Sequence, residues 1–92
     1  MYSVYYTAHP NEVALVHQSF VSRRIRFGER INAQPVNAPA GHQSYNVVYQ
    51  DFQALYYAQQ ALAEHGKQAW IQVMTPNGPQ WVTLEQFIRQ NR

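Results

Sequence analysis

Hydrophobic and polar positions alternate over residues 2–8, YSVYYTA. Tyr2, Val4 and Tyr6 share one side, and Ser3, Tyr5 and Thr7 share the other. Aromatic and β-branched residues dominate, so the pattern predicts a strand. His9-Pro10-Asn11-Glu12 then breaks it, and Pro10 with Glu12 reads as a helix start. Val13, Val16, His17 and Phe20 fall on one helical face. The valine-rich run over residues 12–22 also fits a returning strand, with helix the stronger reading.

From Arg23 to Phe27 the period returns to two. Ile25 and Phe27 alternate with Arg24 and Arg26, which predicts a second strand, with Gly28-Glu29 as a turn. Residues 31–37 extend the pairing, limited to an edge by Pro35. Residues 38–43, APAGHQ, read as a flexible loop. Tyr45–Tyr49 is a further strand, and Asp51 stands where an N-cap belongs.

Residues 52–65 carry the clearest helical period. Phe52, Leu55, Ala58 and Leu62 form the apolar face, Gly66 follows as the residue after the C-cap, and Lys67 sits by the negative end of the helix dipole. Ala69–Met74 and Gln80–Val82 form a hairpin around Thr75-Pro76-Asn77-Gly78. Thr83 with Gln86 matches a capping box that opens a terminal helix over Leu84, Phe87 and Ile88. The order β-α-β-β-α-β-β-α predicts a single α+β domain over residues 1–92. Its sheet is mostly antiparallel, with helices packed on one face.

Composition narrows the function. The chain has 92 residues, a net charge of +2, no cysteine and only 13% charged residues, with twelve glutamines filling much of the polar surface. The small charge excludes a strongly basic nucleic-acid coat and an acidic DNA mimic. The absence of cysteine removes disulfides, a thiolate nucleophile and cysteine-based zinc sites, and fits a cytoplasmic protein. No stretch has the pattern of a secretory signal or reaches the apolar length of a membrane span. The four glycines are scattered, so no phosphate-cradling loop exists, and no cofactor is expected. Paired carboxylates are also lacking. His9, His17, His42 and His65 have no metal-ligand spacing, so no metal is expected.

The candidate binding residues are Arg23, Arg24, Arg26 and Arg30, joined by Phe27, Tyr49 and Tyr57. Four of the seven cationic residues fall in this segment, offset only by Glu29. Arginine with aromatic neighbours suits a protein interface. It also suits phosphates and unpaired bases, or a solvated strand face that protects a sheet edge. Trp70 and Trp81 are expected as neighbours across the hairpin, packed in the core or presented as interface anchors beside Tyr56 and Tyr57.

One pattern has a catalytic look. His17-Gln18-Ser19-Phe20 recurs as His42-Gln43-Ser44-Tyr45. A histidine followed two residues later by a hydroxyl, in two copies, resembles the paired motif of the two-histidine phosphoesterases. That resemblance implies His17 and His42 as acid and base, with Ser19 and Ser44 holding phosphate oxygens. It covers eight residues of a chain about half as long as those enzymes, with the motifs much closer together.

The favoured expectation is a non-enzymatic accessory or inhibitor protein. It would dock on a larger protein or ribonucleoprotein assembly, and a homodimer is compatible with it. In type, such a chain resembles small phage and mobile-element proteins, anti-CRISPR proteins among them. The alternative expectation is direct nucleic-acid binding through Arg23–Arg30.

Overall fold

The first strand becomes the centre of the sheet. In the computed structural model, which describes residues 1–32 and 38–91, β1 (Tyr2–Ala8) has a neighbour on both sides. The helix α1 (Val13–Ser22) follows, then β2 (Glu29–Ile31), β3 (Gln43–Tyr49), α2 (Phe52–Ala63), β4 (Ala69–Thr75), β5 (Gly78–Thr83) and α3 (Leu84–Asn91). The described residues form one five-stranded sheet in the order β2-β3-β1-β4-β5, with every neighbouring pair antiparallel. Because β3 and β4 both oppose β1, they run parallel to each other. α2 therefore joins two parallel strands with β1 inserted between them.

All three helices lie on one face. Val4, Tyr6 and Ala8 of β1, Tyr45, Val47 and Tyr49 of β3, and Ala69 and Ile71 of β4 are buried beneath them. Val16 and Phe20 of α1, Leu55, Ala58, Ala61 and Leu62 of α2, and Leu84 and Ile88 of α3 close the core from above. The opposite face carries Ser3, Tyr5, Thr7, Asn46, Val48, Trp70, Gln72 and Trp81, assigned by strand alternation and register. No helix among the described residues covers it.

Local signals explain most of the element ends. Asp51 caps α2 by accepting from the Gln53 amide at 3.1 Å, and Gly66 follows at φ +67°. Thr83 Oγ1 accepts from the Gln86 amide at 3.1 Å, opening α3. The hairpin turns through Pro76-Asn77, with Gly78 at φ +107°.

Residues 12–22 are resolved in favour of helix, but α1 opens at Val13, with Pro10-Asn11-Glu12 as a preceding turn. There the Glu12 carboxylate reaches back to the His9 amide at 2.8 Å. The strand expected over 23–27 is absent. These residues leave α1 as a loop through Arg24, at φ +61°, and the pairing begins at Glu29, where a turn was expected. The alternation of arginine with apolar residues is real. It serves to drop Ile25 onto the core while Arg24 and Arg26 stay exposed. Gln43 and Ser44 belong to β3, which starts two residues before the expected strand. The extension over 33–37, with Pro35, lies outside the described residues.

One hydroxyl ties these parts together. Tyr6 is fully buried, stacked between Phe20 and Tyr45, and its oxygen accepts the Gly28 amide at 2.7 Å. The same oxygen lies 2.9 Å from His17 Nε2. Gly28 is required for this approach. A Cβ there would stand 2.9 Å from the Tyr6 oxygen and 3.0 Å from Tyr45 Cβ. Tyr6→Phe strands a buried amide and imidazole, whereas Gly28→Ala forces the loop away. Each is expected to cost about 1–3 kcal/mol in urea unfolding. Because both break the same hydrogen bond, the double variant should cost clearly less than the sum of the two.

Candidate docking site

The four arginines do not form one face. Arg23 turns back to α2, where its guanidinium pairs with Glu64 and also donates to the Ser19 carbonyl at 3.0 Å. That pairing holds the Glu64 carboxyl below the usual carboxylate range. Arg26 donates to the Val48 carbonyl, while its own carbonyl accepts the Tyr49 hydroxyl. Arg24 and Arg30 are exposed, and their side chains make no hydrogen bond or ion pair with the described residues.

The aromatic candidates separate as well. Phe27 is 44% exposed and lies flat on the His17 ring at 4.2 Å. Tyr49, expected among the contact residues, is buried at 4% and acts from below by holding the Arg26 backbone. Burial pushes its phenol pKa upward, so it stays a neutral donor. Tyr57 is half-exposed on α2 and takes no part in the cleft described next.

That cleft, about 420 Å³, opens where β2 stops. β2 pairs with β3 at Ser44, Tyr45 and Asn46, so among the described residues no strand pairs with the outer edge of β3 from Val47 onward. Val21, Ile25, Phe27, Val47 and Val48 supply apolar walls, and Arg26 and Glu29 stand at the rim. Val21 is 56% exposed. The Arg26 guanidinium occupies the Val48 carbonyl that a longer β2 would have satisfied, which blunts the free edge. The arrangement offers an apolar slot beside a half-occupied strand edge, with Arg26 and Glu29 as its charged lining and the exposed Arg24 and Arg30 close by in the chain.

The histidines are held apart. His17 sits among Tyr6, Phe20, Phe27 and Tyr45. His42 instead meets Glu12 at 3.5 Å, Lys67 at 3.5 Å and the His9 ring. The two imidazoles share no partner, and Ser19 bonds away from the histidine of its own tetrapeptide. Ser19 Oγ lies 2.8 Å from His65 Nε2 and 3.1 Å from Glu64, clamping α1 to the end of α2. Lys67, placed by the sequence near a helix end, pairs with Glu12 at 2.6 Å. Among the described residues no group of three or more histidine or acidic side chains is placed to hold a metal.

Sequence reasoning missed where the tryptophans face. Trp70 and Trp81 share the open side of the sheet, offset by two residues across the hairpin. The ring that meets Trp81 is Tyr5, edge-on at 5.0 Å. The signal was present in the polar alternate positions of β1, since Ser3, Tyr5 and Thr7 make a poor core face. No helix of the described residues is long and apolar enough to cross a membrane. Comparison with known families, characterised proteins and solved structures finds no match to this chain.

His17 gives the stability a pH dependence. The Tyr6 oxygen already accepts from Gly28, so its proton goes to Nε2, which must then be bare. Burial holds the imidazole below its ordinary value of 6.5. The unfolded chain therefore takes up this proton first, and stability is expected to fall as pH drops through about 6.5. Glu12 is held low by Lys67 and the His9 amide, so its contribution should fade only at more acid pH, through about 4. Urea midpoints between pH 8 and pH 3 should show both phases. His17→Gln, which keeps an acceptor for Tyr6, should remove the first phase alone.

Proposed function

We propose that this protein works by docking on a larger protein, as an accessory or inhibitor component and not as an enzyme. The observation that carries this reading is the cleft at the β3 edge. It combines exposed apolar side chains, Val21 and Phe27, with Arg26 and Glu29 at the rim, and the exposed Arg24 and Arg30 flank these lining residues in the chain. The fitting partner is an extended segment bearing an apolar side chain for the slot and a carboxylate for Arg24 or Arg30. Arginine and aromatic anchors of this kind carry most of the energy in protein interfaces. The cysteine-free composition fits a cytoplasmic setting.

Direct nucleic-acid binding is the second reading, favoured by the exposed Phe27 ring beside Arg24. Two of its four arginines are already engaged, Arg23 with Glu64 and Arg26 with Val48. Two remaining phosphate contacts give a salt slope of only about −1.4 on single strands.

Affinity capture from lysate, with and without nuclease, tests the choice. A protein retained after nuclease treatment is expected, with binding weakened about tenfold or more by Arg24→Glu with Arg30→Glu, and similarly by Phe27→Ala. Capture that disappears with nuclease would overturn the docking reading in favour of phosphate recognition.

A further inference from the structure

The second unsatisfied surface is the open face of the sheet, and its chemistry differs from that of the cleft. Tyr5, Trp70 and Trp81 form its centre on three adjacent strands, with Gln72 beside them and Met74 next along β4. Met74 is 79% exposed. Ser3, Asn46 and Thr83 surround the aromatics, and Asn46 is held by donating to Ser3 Oγ at 2.9 Å, while the end of the face at Thr7 and Ser44 is already buried. Register places one charged side chain on this face, Glu29, at the β2 margin.

We propose that this face is a self-association surface, occupied by the open face of a second copy of the chain. The lack of charge decides between occupants. A nucleic acid stacking on the aromatics needs free cations beside them to meet its phosphates. Register puts no lysine or arginine on the strands there, and Lys67, which flanks Trp70 from the loop after α2, is already paired with Glu12 at 2.6 Å. A two-fold contact sets each patch against its own image, so any charge on it meets a like charge. A neutral patch of hydroxyls, amides and aromatics meets itself without that cost. The arginine-bearing cleft edge would repel its own copy.

The size is sufficient. Five strands about 4.8 Å apart, each of up to seven residues rising roughly 3.3 Å, give a face of about 500 Å². Two such faces bury about 1,000 Å² at most, the lower bound of specific interfaces, so the dimer should be weak and concentration-dependent. The aromatics lose little freedom on pairing, since Tyr5 and Trp81 already hold each other. The face and the cleft share Asn46, Val48 and Glu29 at the β3 margin, while Val21, Ile25 and Phe27 belong to the cleft alone.

The test is the mass of the full chain by light scattering and sedimentation from about 1 to about 500 μM, a span that brackets micromolar association. A concentration-dependent doubling is expected, with a blue shift of tryptophan emission. Gln72 is exposed, so Gln72→Lys should leave folding intact, place like charges against each other, and raise the dissociation constant about tenfold or more. Phe27→Ala, which alters the cleft and not the open face, should leave the doubling unchanged. A wild-type chain that stays monomeric to the top concentration overturns the proposal. So does a doubling that Gln72→Lys does not weaken, which places the interface elsewhere. So too does tryptophan quenching by a single-stranded oligonucleotide that binds the monomer. None of these three results bears on capture of a protein through the cleft, so the two proposals fail separately.

Discussion

The buried hydroxyl of Tyr6 is the point at which sheet, helix and loop are made to agree. It accepts from the Gly28 amide and lies within hydrogen-bonding distance of the His17 ring. The Gly28 amide is buried, so losing this acceptor would leave it unpaired. Burial keeps the phenol neutral by pushing its pKa upward, so it can play both roles. The loop after α1 is thereby fixed over the sheet at one height, which sets where β2 can start.

Tyr49 holds the same loop from the other end. Its hydroxyl meets the Arg26 carbonyl while the Arg26 side chain returns to Val48, one residue away on β3. Two buried tyrosines from neighbouring strands thus pin residues 26–28 with backbone bonds. The docking cleft is the space left between this pinned loop and the unpaired part of β3. Val21 and Val47 of its walls stand on a helix and a strand, whereas Arg26 and Phe27 lie on a loop, the usual division between scaffold and binding surface.

The sequence was legible wherever the chemistry was local. Asp51, Gly66 and Thr83 announce helix ends because each acts on backbone groups a few residues away. The helical faces of α2 and α3 followed from spacing alone. The Arg23–Phe27 segment misled because an alternating pattern records which side chains go inward, not whether a neighbouring strand exists to pair with. Arg24 at φ +61° adds a conformation that its residue type does not advertise. The same limit applies to Trp70 and Trp81. Period two groups residues by face, but nothing in a strand's own pattern says which face the helices will cover. Within the candidate site, Phe27, Arg24, Arg26 and Arg30 were legible as an exposed set. The engagement of Arg23 and Arg26 was not, because Glu64 and Val48 are distant in sequence.

The insertion of β1 between β3 and β4 has a consequence for how the molecule assembles. A strand formed by residues 2–8 can pair with β3 once residues 43–49 exist, but its other edge waits for residues 69–71. During synthesis the central strand therefore spends the making of the whole of α2 with one side open. Such long-range pairing slows folding and exposes an apolar edge while it lasts. Tyr2, Val4 and Tyr6 make that edge adhesive. A chain stalled before β4 should be prone to recruiting a foreign strand into the vacant place, which makes the middle of this sheet, not its rim, the vulnerable site in the nascent protein.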